Sequence, residues 1–92
     1  MQAIWNDTVI AESNDTVEVD GNPYFPFDSI KKEYFKKTEF TSVCGWKGKA
    51  NYYSLDVNGK INKDCAWYYA EPNDAASKLK GMVAFWNGVK VQ

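Results

Sequence analysis

The chain has 92 residues, of which 45% are hydrophobic and 16% aromatic, and its formal net charge is −1. This length and composition predict a single domain over residues 1–92 that folds on its own core, and they exclude a disordered chain. Because the charge is small and interspersed, we expect no nucleic-acid partner and no attachment to an anionic membrane.

Two residue types are missing: the sequence has no histidine, and all eleven basic residues are lysines. Their absence excludes Ser-His-Asp and Cys-His catalysis, histidine-bearing metal sites and arginine clamps. Cys44 and Cys65 are too few for a structural zinc site, so we expect no metal and no cofactor. The first residues do not resemble a secretion signal, and no apolar run has the length of a membrane span, which predicts a cytoplasmic location with both thiols free.

Short alternating segments separated by Asn-Asp pairs begin the chain, and residues 3–6, 8–12 and 16–19 predict the strands of a β-meander. The next segment, residues 21–27, contains Pro23 and Pro26, which cannot donate to a strand ladder. We therefore expect an ordered, aromatic-packed loop there. A short helix is predicted over residues 30–35, with Asp28 or Ser29 as its cap.

The middle of the chain predicts a hairpin around Asn58-Gly59. A loop with an odd number of residues would place all the apolar side chains on one face, whereas a two-residue loop would mix apolar with charged groups. We therefore expect an odd loop with a bulge at Gly59 and one inward face: Tyr53, Leu55, Val57, Ile61, Cys65, Trp67 and Tyr69.

A second short helix is predicted over residues 73–79, followed by a closing hairpin of residues 83–86 and 89–91. The predicted fold class is therefore mainly β (α+β): compact antiparallel sheets built from hairpins, with two short helices.

The densest chemical cluster runs from Cys44 to Gly48 and continues across the hairpin. Cys44, in a glycine-flanked loop near Lys47, is a candidate nucleophile, although the pattern favours a small buried side chain. Aromatic residues of the cluster could stack a flat ligand between polar anchors, or could belong to the core. The candidate ligand-binding residues are Trp46, Lys47, Tyr52, Asp64 and Tyr69.

At these residues the chain resembles a bacterial family called domain of unknown function 427. The pattern of that family is matched by four segments: Cys44-Gly45-Trp46-Lys47-Gly48, Ala50-Asn51-Tyr52, Ala66-Trp67-Tyr68-Tyr69-Ala70-Glu71-Pro72 and Val83-Ala84-Phe85-Trp86. Gly45 and Ala70 stand where the family has proline. The resemblance covers essentially the whole chain and implies a compact β-tent-like domain, a fold whose relatives include ligand and peptide binders. It does not imply one activity, because a fold does not determine function.

Three functions remain open at this point. The first is a binding module that receives a small molecule or peptide in an aromatic-lined cleft, and it uses the whole cluster. The second is a small enzyme that uses Cys44 as a nucleophile or redox thiol. The third is a structural or protein-interaction domain. We expect a monomer or a weak homodimer.

Overall fold

The computed structural model describes residues 1–92 and contains nine strands and no α-helix. The strands are β1 (Gln2–Trp5), β2 (Thr8–Glu12), β3 (Val17–Val19), β4 (Asn22–Pro26), β5 (Phe35–Cys44), β6 (Gly48–Val57), β7 (Lys60–Tyr68), β8 (Met82–Phe85) and β9 (Lys90–Val91). They form a three-stranded sheet in the order β2-β1-β9 and a six-stranded sheet in the order β3-β4-β8-β7-β6-β5. All pairings between these strands are antiparallel, which confirms the predicted mainly β class. No helix in the fold has the length and apolar character needed to cross a bilayer.

The two predicted helices are 3₁₀ segments instead. Lys32–Tyr34 lies within the first predicted helix, just after another 3₁₀ segment at Phe27–Ser29, and Asp74–Leu79 lies within the second. Segments this short provide too few hydrogen bonds to offset the cost of nucleating an α-helix. No side chain caps any of them; Ser29 Oγ donates instead to the carbonyl of Pro26 at 2.6 Å.

The prediction of a loop over residues 21–27 is also wrong. Asn22–Pro26 forms strand β4, which lies between β3 and β8 in the six-stranded sheet. Its first half pairs with β3, where Pro23 lies opposite Glu18. Its second half pairs with β8, where Pro26 lies opposite Met82. Each half of β4 thus has a partner on one side only, and a strand with an unpaired side tolerates proline there.

The β6–β7 hairpin turns at Asn58-Gly59 as predicted, but its loop has two residues, because Val57 pairs with Lys60. Both loop residues have positive φ, 53° and 83°, as a tight hairpin turn requires. The register then shifts farther along, so that the single residue Ser54 faces the three residues 63–65 of β7. With a two-residue loop and no bulge, the charged Asp64 would lie opposite Tyr53 on the core face. The bulge moves Asp64 away and places Ala66 opposite Tyr53 instead.

The predicted inward face of this hairpin is therefore divided. Ile61 is exposed, and Asn62 is buried in its place. Tyr53, Leu55, Val57 and Cys65 belong to the larger core cluster, whereas Trp67 and Tyr69 pack with the smaller one.

The six-stranded sheet has a core on each face, since neighbouring residues of β6 belong to different clusters. The larger cluster joins this sheet to the three-stranded sheet and contains Ala3, Ile10, Ala11, Phe25, Ile30, Phe35, Tyr53, Leu55, Val57, Cys65, Ala66, Val83 and Phe85. The smaller cluster lies on the opposite face and contains Val19, Tyr24, Ala50, Tyr69, Ala76, Leu79 and Ala84. Side chains that alternate along each strand supply both cores.

The two outermost hairpins of the six-stranded sheet are linked by one ion pair. The edge strands are β3 and β5. Asp20 in the turn after β3 and Lys47 in the turn after β5 nevertheless form an ion pair with 2.8 Å between Oδ2 and Nζ. The ion pair therefore joins the hairpins at opposite ends of the sheet.

The predicted closing hairpin does not form, because β8 and β9 belong to different sheets. β9 pairs with β1, and Gln2 and Gln92 exchange two backbone hydrogen bonds of 2.7 and 2.9 Å. The last residues therefore cross from the large sheet to the small one.

Candidate ligand-binding cleft

A cleft of about 310 Å³ opens on the sheet face that carries the smaller core. Its floor follows from the register, in which Tyr52 lies opposite Trp67, and Trp67 lies opposite Ala84. The cleft is lined by Lys47, Tyr52, Trp67, Tyr69 and Trp86.

Lys47 is the only charged residue that lines this cleft, and it is only 7% exposed. Its ammonium pairs with Asp20 and lies 5.4 Å from the centre of the Trp46 ring. Burial alone would lower the pKa of Lys47, but the hydrogen bond to Asp20 and the proximity of Tyr24 and Tyr69 outweigh it and raise the pKa. The same hydrogen bond lowers the pKa of Asp20. Lys47 is therefore a buried charged donor whose charge is largely balanced by the exposed carboxylate of Asp20.

The turn that carries Lys47 is held by Asn73. The backbone N–H of Asn73 donates to the carbonyl of Lys47 at 2.9 Å, and its side-chain amide lies 3.4 Å from the carbonyl of Trp46. Gly48 closes the turn with φ of +113°, and a Cβ there would lie 3.4 Å from Asn73. Asn73 thus braces this turn and does not cap the 3₁₀ segment that follows it.

Hydrogen bonds orient the aromatic rings of the cleft. Trp67 Nε1 donates to the hydroxyl of buried Tyr24 at 3.2 Å, and the two rings meet edge to face. Trp86 Nε1 donates to the backbone carbonyl of Asp64 at 2.7 Å. Both indole donors are therefore satisfied within the protein, and the rings present apolar surface to the cleft.

The two tyrosines supply hydroxyl groups. Tyr52 shares a 2.9 Å hydrogen bond with Ser42 Oγ, and its ring packs against Phe40 with 4.8 Å between the centroids. Burial raises the pKa of Tyr69 to about 12, so its phenol stays protonated at neutral pH. The polar groups of the cleft are consequently one ammonium and two hydroxyls.

The structure brings three of the predicted ligand-binding residues together in this cleft: Lys47, Tyr52 and Tyr69. The other two are not among its lining residues. Trp46 is 41% exposed beside Lys47, and Asp64 lies in the β7 bulge, where its backbone carbonyl holds Trp86.

The predicted nucleophile Cys44 is half-buried and also does not line the cleft. It ends β5 opposite Gly48. Cys65 is fully buried, and burial raises the pKa of its thiol to about 11, which keeps it neutral and unreactive at ordinary pH. Both cysteines are free.

Trp67 and Trp86 line the cleft but were absent from the predicted site. The odd loop expected for the hairpin places Trp67 on the inward face, whereas the two-residue loop of the structure places it on the face opposite Tyr53. Trp86 comes from the end of β8, which reaches the cleft only through its pairing with β7. The one sequence signal for both residues was their place in the family-like segments.

Comparison with known proteins gives a family but no activity. No curated protein matches the chain. A family model with the description "Domain of unknown function (DUF427)" matches residues 1–92, the whole chain. The chain therefore belongs to the DUF427 family.

Proposed function

We propose that this protein is a binding module whose aromatic cleft receives a small molecule or a peptide side chain. The observation that carries the proposal is the convergence of four aromatic rings on one buried ammonium in a cleft of about 310 Å³. Such a volume lies at the lower end of ligand pockets, and an apolar lining with a few polar groups is typical of them.

The chemistry of the lining favours a flat, neutral ligand with a hydrogen-bond acceptor. Aromatic faces stack flat groups. The Lys47 ammonium would repel a cation, and its pairing with Asp20 reduces its attraction for a fully charged anion. A carbonyl oxygen accepts a hydrogen bond from Lys47 or Tyr69 without disrupting that ion pair.

The cleft is organised before any ligand arrives. The hydrogen bonds of Trp67 and Trp86 orient both indoles, and Asn73 braces the turn of Lys47. A site whose side chains are already ordered loses little conformational entropy on binding. Among the lining residues, Trp86 has the largest exposed fraction, 54%, and therefore offers a ligand the most surface to cover.

A Cys44-dependent enzyme has less support, because Cys44 lies outside the cleft lining and the neighbouring cation, Lys47, is already paired with Asp20. The proposed binding function needs neither thiol.

The proposal is tested by titrating the protein with indole-3-carboxamide and acetyl-tryptophanamide while following backbone amide shifts by NMR. We expect saturable shifts at Lys47, Tyr69 and Trp86, and weaker binding of indole, which lacks the carbonyl acceptor. Two exposed tryptophans provide a matched pair of variants. Trp86→Ala should abolish the shifts, whereas Trp46→Ala should retain most of the affinity.

Two results would reject the proposal. One is an absence of saturable shifts at the cleft with both probes at millimolar concentration. The other is equal weakening by Trp86→Ala and Trp46→Ala, because only Trp86 lines the cleft.

A further inference from the structure

A second cleft, of about 160 Å³, lies on the opposite face of the six-stranded sheet. It forms where the 3₁₀ segments after β4 cover the start of β5. Its lining consists of Phe27, Ile30, Lys32, Phe35, Lys37 and Tyr53.

The apolar part of this second cleft is well supported. Lys37 lies directly opposite Tyr53 in the β5–β6 register. Phe35 and Tyr53 meet edge to face with 5.6 Å between their ring centres. Both rings and Ile30 belong to the larger core, so the floor of the cleft is part of the packed interior.

The charged part of the second cleft has no counterion within the protein. Lys32 Nζ lies 4.7 Å from the centre of the Phe27 ring, which holds the ammonium beside the apolar lining. The only ion pair in the structure joins Lys47 to Asp20, so neither Lys32 nor Lys37 has a carboxylate within 4.0 Å. No acidic residue lines the cleft. Two lysines without a carboxylate partner therefore line an otherwise apolar pocket.

We propose that this second cleft is a binding site for a small monocarboxylate with a compact aromatic or branched apolar body. The carboxylate forms charge-assisted hydrogen bonds with Lys32 and Lys37, and the apolar body packs against Phe35 and Tyr53. The volume is about half that of the smallest pockets for drug-sized ligands, so it accommodates roughly one ring and excludes a long chain. This site is separate from the aromatic cleft, because Tyr52 and Tyr53 project to opposite faces of β6.

Benzoate tests this proposal, with benzamide as its uncharged counterpart. In an NMR titration at low salt we expect benzoate to shift the amides of Phe27, Ile30 and Tyr53, with a dissociation constant on the order of 1 mM. Benzamide should bind roughly tenfold more weakly, since it lacks the charge that the lysines recognise. Added salt should weaken benzoate and leave benzamide unchanged.

Lysine variants provide matched controls within one short segment. Lys32→Gln and Lys37→Gln should each weaken benzoate binding roughly tenfold. Lys31→Gln and Lys36→Gln remove the same charge from residues outside the lining and should change it less than twofold. All four side chains belong to exposed residues, so these variants keep the fold.

Three outcomes would overturn the proposal. The first is equal binding of benzoate and benzamide, and the second is equal weakening by Lys31→Gln and Lys32→Gln. The third is much tighter binding of a tetrapeptide with a C-terminal phenylalanine, which would assign the cleft to chain ends instead of free acids.

Discussion

Tyr52 and Tyr53 are neighbours in β6, yet each lines a separate cleft on its own face of the six-stranded sheet. Alternation along a strand sends consecutive side chains to opposite faces, and here both faces are covered by a core. One strand thus contributes to two sites with different polar partners. Substitutions at these two tyrosines should affect the two clefts independently.

The hydrogen bond between Trp67 and Tyr24 should contribute measurably to stability. Tyr24→Phe removes the acceptor for Trp67 Nε1 and leaves a partly buried donor unpaired. We expect the free energy of unfolding to fall by about 1 to 2 kcal/mol, measured by urea denaturation. Binding in the aromatic cleft should weaken as well. Tyr34→Phe, whose hydroxyl makes no hydrogen bond within the protein, is the control; an equal loss there would contradict the assignment.

The ion pair between Asp20 and Lys47 should make stability depend on pH in a known direction. Because the pKa of Asp20 is lowered from 3.8, its contribution is present above that value and is lost as the pH falls through the lowered pKa. Because the pKa of Lys47 is raised from 10.5, its contribution is present below that value and is lost as the pH rises through the raised pKa. The pair therefore stabilises the fold across neutral pH.

Asp20→Asn tests this dependence by thermal denaturation. At neutral pH the variant should melt below the wild type, and the difference should shrink as the pH falls below 3.8 and through the lowered pKa of Asp20. Asp15→Asn is the matched control, since Asp15 is exposed and forms no ion pair. A difference that stays constant with pH would show that the ion pair is not its source.

The two thiols should differ in their accessibility to alkylation. In the folded protein we expect iodoacetamide to modify the half-buried Cys44 and spare the fully buried Cys65, as measured by intact mass. Denaturant should expose both. Modification of Cys65 at the rate of Cys44 under native conditions would contradict the packing described here.

Burial of Cys65 also predicts a loss of stability in alkali. Its pKa rises from 9.0 to about 11 on folding, so its contribution is complete below pH 9.0 and decreases as the pH rises towards 11. The loss should be on the order of 3 kcal/mol, because each pKa unit corresponds to about 1.4 kcal/mol. Tyr53 and Tyr69, whose pKa values burial raises from 10.0 to about 12, should add a further loss above pH 10. Cys65→Ala should therefore remove only the loss that begins near pH 9.0, although it lowers stability at neutral pH by leaving a small cavity. A loss that begins near pH 9.0 in Cys65→Ala as well would contradict the assignment to this thiol.

The bulge in β7 should tolerate glycine but not a β-branched residue at Asp64, where φ is 52°. Asp64→Val should cost about 1 to 2 kcal/mol, because the left-handed conformation crowds its Cβ. It should also displace Trp86, whose indole donates to the carbonyl of Asp64, and so change the tryptophan fluorescence. Asp64→Gly should leave both properties near wild type. Lys63→Val, one residue earlier with negative φ, is the control. If it lowers the free energy of unfolding as much as Asp64→Val does, the left-handed conformation of Asp64 is not the cause of the loss.

Local patterns in the sequence were sufficient for the strand content and for the Asn58-Gly59 turn, because alternation and turn chemistry depend on neighbouring residues. They were insufficient where the structure of a segment depends on which distant strands pair with it. The prolines of β4 lie where each half of the strand has one unpaired side, which no local pattern reveals. The bulge opposite Ser54 likewise involves a contact between the two strands: the Ser54 hydroxyl accepts a hydrogen bond of 2.9 Å from the backbone N–H of Asp64.

The candidate cleft was predicted in part for the same reason. Lys47 and Tyr52 are close together in sequence, and Tyr69 lies across a hairpin, so proximity could be inferred. Trp86 arrives from β8, a strand inserted between β4 and β7. Only the three-dimensional order of the strands makes it a wall of the cleft.

The ion pair that joins the two edge hairpins has a consequence for motion. No backbone ladder connects β3 to β5, so the ion pair between Asp20 and Lys47 is the contact that links their hairpins. If this ion pair breaks, the β3–β4 hairpin can move away from the β5–β6 hairpin without any loss of strand pairing in β5 and β6. Amides of β3 should therefore exchange with solvent sooner than those at the centre of β6, and Asp20→Asn should widen that gap.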